Sequence, residues 1–352
     1  MSACSTTSWG MGHILQDVAK EVITLELDGH DVRFTSPSKV IFPKHGWTKK
    51  DLLDYYLAVA EPCIRHLHDR PTTMKRFHDG VDGEFFFQKR VPNNAPPWLE
   101  QMTQTFPSGR SANFLVVQDS AHLAWGLNLN VIDWNPWPVR RAHPDHPDEL
   151  RVDLDPTPEA SWDDVRRTAL LVREVLEEHG LRGFPKTSGS RGIHVLVRIE
   201  PEHGFTEVRR AALALAREVE RRAPDLATSA WWKEERHGVF IDYNQNARDR
   251  TVASAYSVRP NPDGLVCCPV TWDEVPDVEM QDFRLDTVPK RVREVGDPSA
   301  ELDASAGTLD SLHELAARDE REGLGDAPWP PNFPKAPNEP KRVQPSRARD
   351  DT

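Results

Sequence analysis

The chain has 352 residues, 38% of them apolar, and 56 acidic against 44 basic side chains give a formal net charge of −12. That is enough for one large domain or two small ones, and no apolar run approaches the roughly 18 residues needed to cross a bilayer. The first residues lack a basic segment followed by an apolar run, so no signal peptide is expected; Cys4, Cys63, Cys267 and Cys268 form no Cys-x-x-Cys pair, which speaks against zinc or a disulfide framework and for a reduced, cytoplasmic protein with no membrane contact.

Residues 1–20 carry no pattern and read as a mobile leader. Residues 21–42 read as strands with a turn at Gly29. Thr48-x-x-Asp51 resembles a capping box, and Leu52, Tyr55, Tyr56 and Val59 repeat at helical spacing until Pro62 disrupts the pattern. Strands are expected at 114–118 and 151–155. A helix over 161–179 has Ser161 as N-cap, Val165, Ala169, Val172 and Leu176 on one face, and Gly180 as stop. A strand at 194–199 precedes a second long helix over 206–222, closed by Pro224, and further strands are expected at 239–242 and 256–258. After Gly296 the composition changes: a short helix over 308–322, then a Pro-rich run with Lys341, Arg342, Arg347 and Arg349, read as extended or partly disordered. One folded unit over 21–295 with a C-terminal extension over 296–352 is therefore expected, of the α/β or α+β class.

A charge of −12 is an awkward start for a protein that meets phosphates. Charge is local, however. Basic residues cluster over 39–50, at Lys75–Arg76 and at Lys89–Arg90, so a basic face can sit on an acidic whole.

Three segments carry chemistry. In Arg151-Val152-Asp153-Leu154-Asp155-Pro156, strand alternation puts Asp153 and Asp155 on one face and Val152 and Leu154 on the other. Paired carboxylates suit Mg²⁺ or Mn²⁺, although an isolated Asp-x-Asp is more often a solvated strand end. In Lys186-Thr187-Ser188-Gly189-Ser190-Arg191-Gly192-Ile193-His194, glycines, hydroxyls and a cation make a loop able to surround phosphate oxygens, with Arg191 a bidentate donor and His194 opening a strand. Its plain alternative is a polar hairpin turn. In Val239-Phe240-Ile241-Asp242-Tyr243-Asn244-Gln245-Asn246, Asp242 ends an apolar run, as turn-forming Asp also does. Downstream, Arg259 closes Ala255-Tyr256-Ser257-Val258.

Taken in order, the three segments resemble the motif set of archaeo-eukaryotic primases, and most closely the polymerase domain of bacterial end-joining DNA ligases. The resemblance runs from about Val32 to Leu285 and includes Thr35-Ser36-Pro37-Ser38-Lys39, Thr48-Lys49, Asp54-Tyr55-Tyr56, Gly80-Val81-Asp82, Phe86-Phe87-Gln88-Lys89 and Ala95-Pro96-Pro97-Trp98. It implies an α+β primase-type catalytic fold in which an RRM-like sheet carries the catalytic aspartates. The reaction implied is template-directed nucleotidyl transfer at DNA gaps or double-strand breaks, in non-homologous end joining, with a taste for ribonucleotides. By the same resemblance Asp153, Asp155 and Asp242 would hold two Mn²⁺ or Mg²⁺ ions. Ser188, Arg191, His194, Gln245 and Arg259 would hold the incoming triphosphate (NTP or dNTP). Lys39 and Lys49 would hold a 5′-phosphate, and Phe86 and Phe87 would stack on template bases.

Arg191 stands where the family has Lys, and Asn135, in Ile132-Asp133-Trp134-Asn135-Pro136-Trp137, stands where the family often has His. Asn135 is counted with the nucleotide site as a tuning position, the alternative being a cap for the turn before Pro136. Arg236 is a further candidate, in a segment one residue shorter than the family pattern. No Lys-x-Asp-Gly of an adenylated ligase nucleophile is found, so Ku and a separate ligase are the expected partners, at the nucleoid. Two rival readings are a non-catalytic module that binds DNA ends through the 5′-phosphate, and a primase that starts chains without a primer.

Overall fold

The computed structural model describes residues 21–106, 109–330 and 333. The expected leader and the basic Pro-rich tail lie outside them.

Hairpin β1 (Val22–Leu27) and β2 (His30–Thr35) turns at Gly29 as expected, and β3 (Val40–Phe42) pairs with β4 (Trp47–Thr48). Thr48 then caps α1 (Lys49–Ala58) in a full capping box with Asp51. Pro62 does not end this helix. The break falls at Val59, and Pro62 sits in the first turn of α2 (Ala60–Leu67), where its missing N–H leaves no bond unmade.

Five antiparallel strands form the next layer: β5 (Pro71–Phe77), β6 (Phe85–Gln88), β7 (Gln101–Thr105), β8 (Ser111–Val116) and, after helix α3 (Ser120–Asn128), β9 (Val131–Pro136). β5 is central, with β9 along one edge and β8 then β6 along the other.

The second sheet carries the three sequence motifs. Its order is β11 (Gly183–Thr187), β12 (Ile193–Arg198), β10 (Glu149–Pro156), β14 (Val239–Ile241), β13 (Ala227–Thr228), antiparallel except for the last pair. Val152, Leu154, Ile193, Val195 and Val197 are all buried. They face α4 (Trp162–Glu178), whose apolar stripe is the expected Val165, Ala169, Val172 and Leu176, and α5 (Phe205–Arg222), whose stripe is Val208, Ala212, Leu215 and Val219. Ser161 and Asp164 form the second capping box. Burying one face in this way leaves the other to polar side chains, and the aspartates stand there.

The expected strand at 256–258 is not formed. Tyr256 has φ 62°, and its N–H donates to the Cys267 carbonyl (2.7 Å) while the Tyr55 hydroxyl donates to its carbonyl (2.8 Å). These distant partners override the local β propensity. The segment instead laces the two sheets together: on β9, Ser254 N donates to Trp134 O (2.8 Å) and Trp134 N to Ser257 Oγ (2.9 Å), and Lys186 Nζ on β11 donates to Ala253 O (2.9 Å). After α6 (Val288–Val295), helix α7 (Asp310–Arg321) packs on α5. Among the described residues no helix is long and apolar enough to cross a membrane.

Candidate active site

Strand alternation on β10 brings Asp153 and Asp155 to the polar face, where Asp153 is buried and Asp155 exposed, and β14 ends so that Asp242 arrives beside them. The Asp242 N–H donates to Asp153 O (2.8 Å). One carboxylate oxygen from each of the three lies within 4.8 Å of the others. Asp242 is pinned by its own 3-10 turn, Tyr243–Asn246: its carboxylate accepts from Asn244 N (3.0 Å) and Gln245 Nε2 (3.1 Å). Asn246 ties that turn to β10 by exchanging two hydrogen bonds with the Arg151 backbone (2.9 and 2.8 Å).

At the trio, burial and mutual repulsion outweigh the relief that nearby cations give. Burial, against partial relief from Lys186 and Arg259, pushes Asp153 up to about 6. Burial and then the Asp153 charge push Asp242 up to about 6. Asp155 is exposed, yet desolvation followed by the charges of Asp153 and Asp242 pushes it up to about 7. Three hard oxygen donors that repel one another fit a divalent cation such as Mg²⁺ or Mn²⁺.

A row of side chains crosses the sheet from Asp153. The register pairs Asp153 with His194 and His194 with Lys186. Lys186 Nζ lies 2.7 Å from His194 Nδ1 and donates to Ala253 O (2.9 Å), and His194 Nε2 lies 3.2 Å from Asp153 Oδ1. With the ammonium donating to Nδ1, Nε2 carries the proton and points at Asp153. Burial and then Lys186 hold His194 well below its ordinary range, so it is neutral at pH 7. The sequence places Lys186 at the head of the loop motif without a role of its own. The signal was available, because closing a hairpin over 188–192 pairs 186 with 194 on the same face.

The loop between these strands has little room. Ser188 Oγ accepts from Ser190 N (3.2 Å) and Gly192 N (3.0 Å). Gly189 has φ +63°, and a Cβ there would strike the Arg259 side chain; at Gly192 it would strike the Leu154 carbonyl. Arg191 is exposed and its charge acts on Asp155. Arg259 forms an ion pair with buried Asp133 (3.0 Å), to which Asn135 Nδ2 also donates (3.2 Å). Asn135 thus lies within β9 rather than at a turn, one contact removed from Arg259. Arg236 lies over the Phe240 ring (3.4 Å to its centroid), and Phe240 is paired with Asp155, which brings Arg236 to the acidic trio despite the shortened segment.

The remaining expected residues lie on the other sheet and its flank. Phe85, Phe86 and Phe87 are all about half exposed (50%, 47% and 56%). They do not share a face: Phe85 and Phe87 flank Lys75 (4.0 and 5.6 Å to the ring centroids), whereas Phe86 carries Arg76 (4.9 Å). Phe85, not expected from the sequence, is the ring that meets Phe87 (5.7 Å between centroids). Lys39 is partly exposed and contacts the His78 carbonyl. Lys49 is only 2% exposed and donates to Thr35 O (2.8 Å), Asn128 O (2.8 Å) and Asn128 Oδ1 (3.2 Å). Burial and then the charge of Lys39 bring it down to about 8.

Residues 48–299 match the family model for the LigD primase-polymerase domain. The chain belongs to that family. A solved structure, the polymerase domain of Mycobacterium tuberculosis ligase D in complex with DNA, superposes with a TM-score of 0.73 at 32% identity, covering 78% of this chain and 99% of that one. The multifunctional non-homologous end joining protein LigD of Mycolicibacterium smegmatis is 33% identical over 320 residues, 89% of this chain and 41% of that protein. The bifunctional LigD of Bacillus subtilis is 30% identical over 270 residues, 76% of this chain and 43% of that protein. The chain therefore spans about two-fifths of the length of these relatives, the part that corresponds to the primase-polymerase domain. The α+β architecture and the sheet-borne acidic trio are those of that family's fold.

Proposed function

We propose that this chain adds nucleotides to a DNA 3′-hydroxyl under template direction, with release of pyrophosphate, at gaps or broken ends during non-homologous end joining. The observation that carries the reading is the convergence of Asp153, Asp155 and Asp242 within 4.8 Å on the polar face of the second sheet. Two divalent ions held there would lower the pKa of the attacking hydroxyl and neutralise charge on the departing pyrophosphate. Around them, Ser188, Arg191, His194, Gln245, Arg236 and Arg259 offer hydroxyl, imidazole, amide and guanidinium groups to a triphosphate. His194, fixed by Lys186, donates from Nε2. Asp133 aims the Arg259 fork, and Asn135 adjusts Asp133.

DNA would lie across the basic and aromatic side of the cleft, with Phe85 and Phe87 under template bases and Lys39 toward a 5′-phosphate. Ribonucleotide and Mn²⁺ preference, a cytoplasmic location at the nucleoid, and partnership with Ku and a ligase that seals the product follow from the family resemblance and belong to this proposal. A module that only binds ends is the second reading. The intact trio opposes it, since buried repelling carboxylates cost stability without a cation to bind.

The test is extension of a labelled primer across a gap, with Mn²⁺ or Mg²⁺ and separate NTP and dNTP pools. Extension is expected with Mn²⁺ and NTPs, and none with Asp153→Ala or Asp242→Ala. DNA binding without extension under every condition would leave the end-binding module.

A further inference from the structure

The 3-10 turn that carries Asp242 is held from two sides. Asn246 fastens it to β10, and a single buried arginine fastens the other side to the C-terminal segment. Arg209, on α5, has no exposed surface. Its Nε donates to Asn244 Oδ1 (3.0 Å), one terminal nitrogen to Asp326 Oδ1 (2.8 Å), and the other to the carbonyls of Ala327 (3.2 Å) and Pro328 (2.8 Å). The guanidinium lies over the rings of both Trp329 (4.3 Å) and Tyr243 (5.2 Å). Asn244, the residue it grips, donates its backbone N–H to the Asp242 carboxylate (3.0 Å).

The segment after α7 has no regular structure, so its carbonyls need partners from elsewhere. Arginines of α5 supply them: Arg217 donates to Leu324 O (3.3 Å) and Gly325 O (2.6 Å), as Arg209 does to Ala327 and Pro328. Asp326 completes the arrangement, accepting from Arg209 with one oxygen and from Trp329 Nε1 with the other (2.9 Å). This whole segment lies beyond residue 299, where the match to the family model ends.

We propose that residues 324–330 are a brace for the metal site, and that Arg209 is the positioning residue through which the brace sets the Asp242 carboxylate. The proposal rests on the reading of Asp153, Asp155 and Asp242 as metal ligands. Arg209 suits the task because its planar fork fixes several partners at once, which a lysine ammonium on a flexible stem does not. Outer contacts of this kind typically change metal affinity about 10- to 100-fold.

The test uses the full chain and Mn²⁺ alone, measured by isothermal titration calorimetry without DNA, with the Tm of the metal-free protein and the affinity for a DNA end recorded beside it. The double variant Asp326→Ala with Trp329→Ala loosens the brace from the outside, and Arg209→Lys removes the fork. Arg210→Ala breaks a peripheral contact of the same helix, its ion pair with Glu320 (2.7 Å), and serves as control. Both brace variants should bind Mn²⁺ about tenfold more weakly, with the DNA affinity unchanged and the control equal to wild type. Should Arg209→Lys fail to fold, the double variant decides. Wild-type Mn²⁺ affinity in the double variant overturns the proposal, as does an equal loss in Arg210→Ala, which would mark a general loosening of α5. A wild-type protein that binds Mn²⁺ but extends no primer sinks the polymerase reading and leaves this comparison standing. One that binds no Mn²⁺ removes the metal site and the brace together.

Discussion

At the scale of single residues, the two lysines expected to share one phosphate are neighbours, Lys49 N donating to Lys39 O (2.7 Å), but their ammonium groups are used differently. Lys39 keeps an ammonium near solvent, whereas the ammonium of Lys49 is spent on Thr35 and Asn128. Lys39→Ala should therefore erase the preference for a 5′-phosphorylated over a 5′-hydroxyl gap at low salt, with Tm unchanged. Lys49→Ala should lower Tm, because it strands buried acceptors worth about 1.5–3 kcal/mol for each bond to a charged group. Binding curves on the two gaps and thermal melts separate these effects, and a Lys49→Ala protein that melts like wild type would refute the inward role. Lys186 supplies a second case. Lys186→Met keeps the length of the side chain but frees His194 Nδ1, so the imidazole can turn and change tautomer. Extension should fall about 10- to 100-fold with little change in DNA affinity, and full activity in that variant would show that His194 needs no partner.

At the scale of elements, what was legible is what local chemistry decides. Thr48 with Asp51 and Ser161 with Asp164 announce helix starts because a cap needs only its own first turn. Asp153 and Asp155 announce a shared face because strand alternation is a local property. What could not be read is what distant partners decide. Tyr256 is bent by Cys267 and Tyr55, Lys49 is turned inward by Asn128, and β11 was hidden because Phe184-Pro185 reads as a breaker although it lies on a sheet edge, where Pro is tolerated. The phenylalanines show the same limit: Phe86-Phe87 looks like a pair in the sequence, but the pleat assigns Phe87 to Phe85. Phe87→Ala and Phe85→Ala should each weaken binding to a template overhang by roughly 1–3 kcal/mol per base lost. Phe86→Ala should do so less. Fluorescence anisotropy with a labelled overhang reads the ranking, and an equal loss at Phe86 and Phe87 would restore the pair.

At the scale of the molecule, two sets of carboxylates pull stability in opposite directions with pH. Asp148 and Glu149 lie among Arg70, Arg140, Arg151 and Arg198. Burial alone would raise both, but Arg70 and its neighbours hold them below the ordinary carboxylate range. Glu218, against Arg318 and Arg222, is brought down to about 2. Groups with lowered values contribute fully above their ordinary pKa and lose that contribution as the pH falls through the folded value, so this set fails below about pH 4. Asp153, Asp155 and Asp242 have raised values of about 6 to 7. The folded state holds their protons more tightly, so the metal-free protein gains stability as the pH drops from 8 toward 5. Tm in chelator should rise over that interval and collapse below about pH 4. With saturating Mn²⁺ the rise should flatten or reverse, since the ion replaces the protons. A Tm in chelator that does not change between pH 8 and pH 5 would contradict the strain assigned to the trio.

Strand β6 governs how this protein behaves in a tube. The strand is the outer edge of its sheet, and its unpaired backbone is flanked by three half-exposed phenylalanine rings. Such an edge is a template on which another chain can add a strand. Lys75, Arg76, Lys89 and Arg90 stand around it as mutual repellents, and their effect weakens as salt screens them. Concentrated stocks at high ionic strength should therefore turn cloudy, and a short single-stranded oligonucleotide, by covering the rings, should clear them.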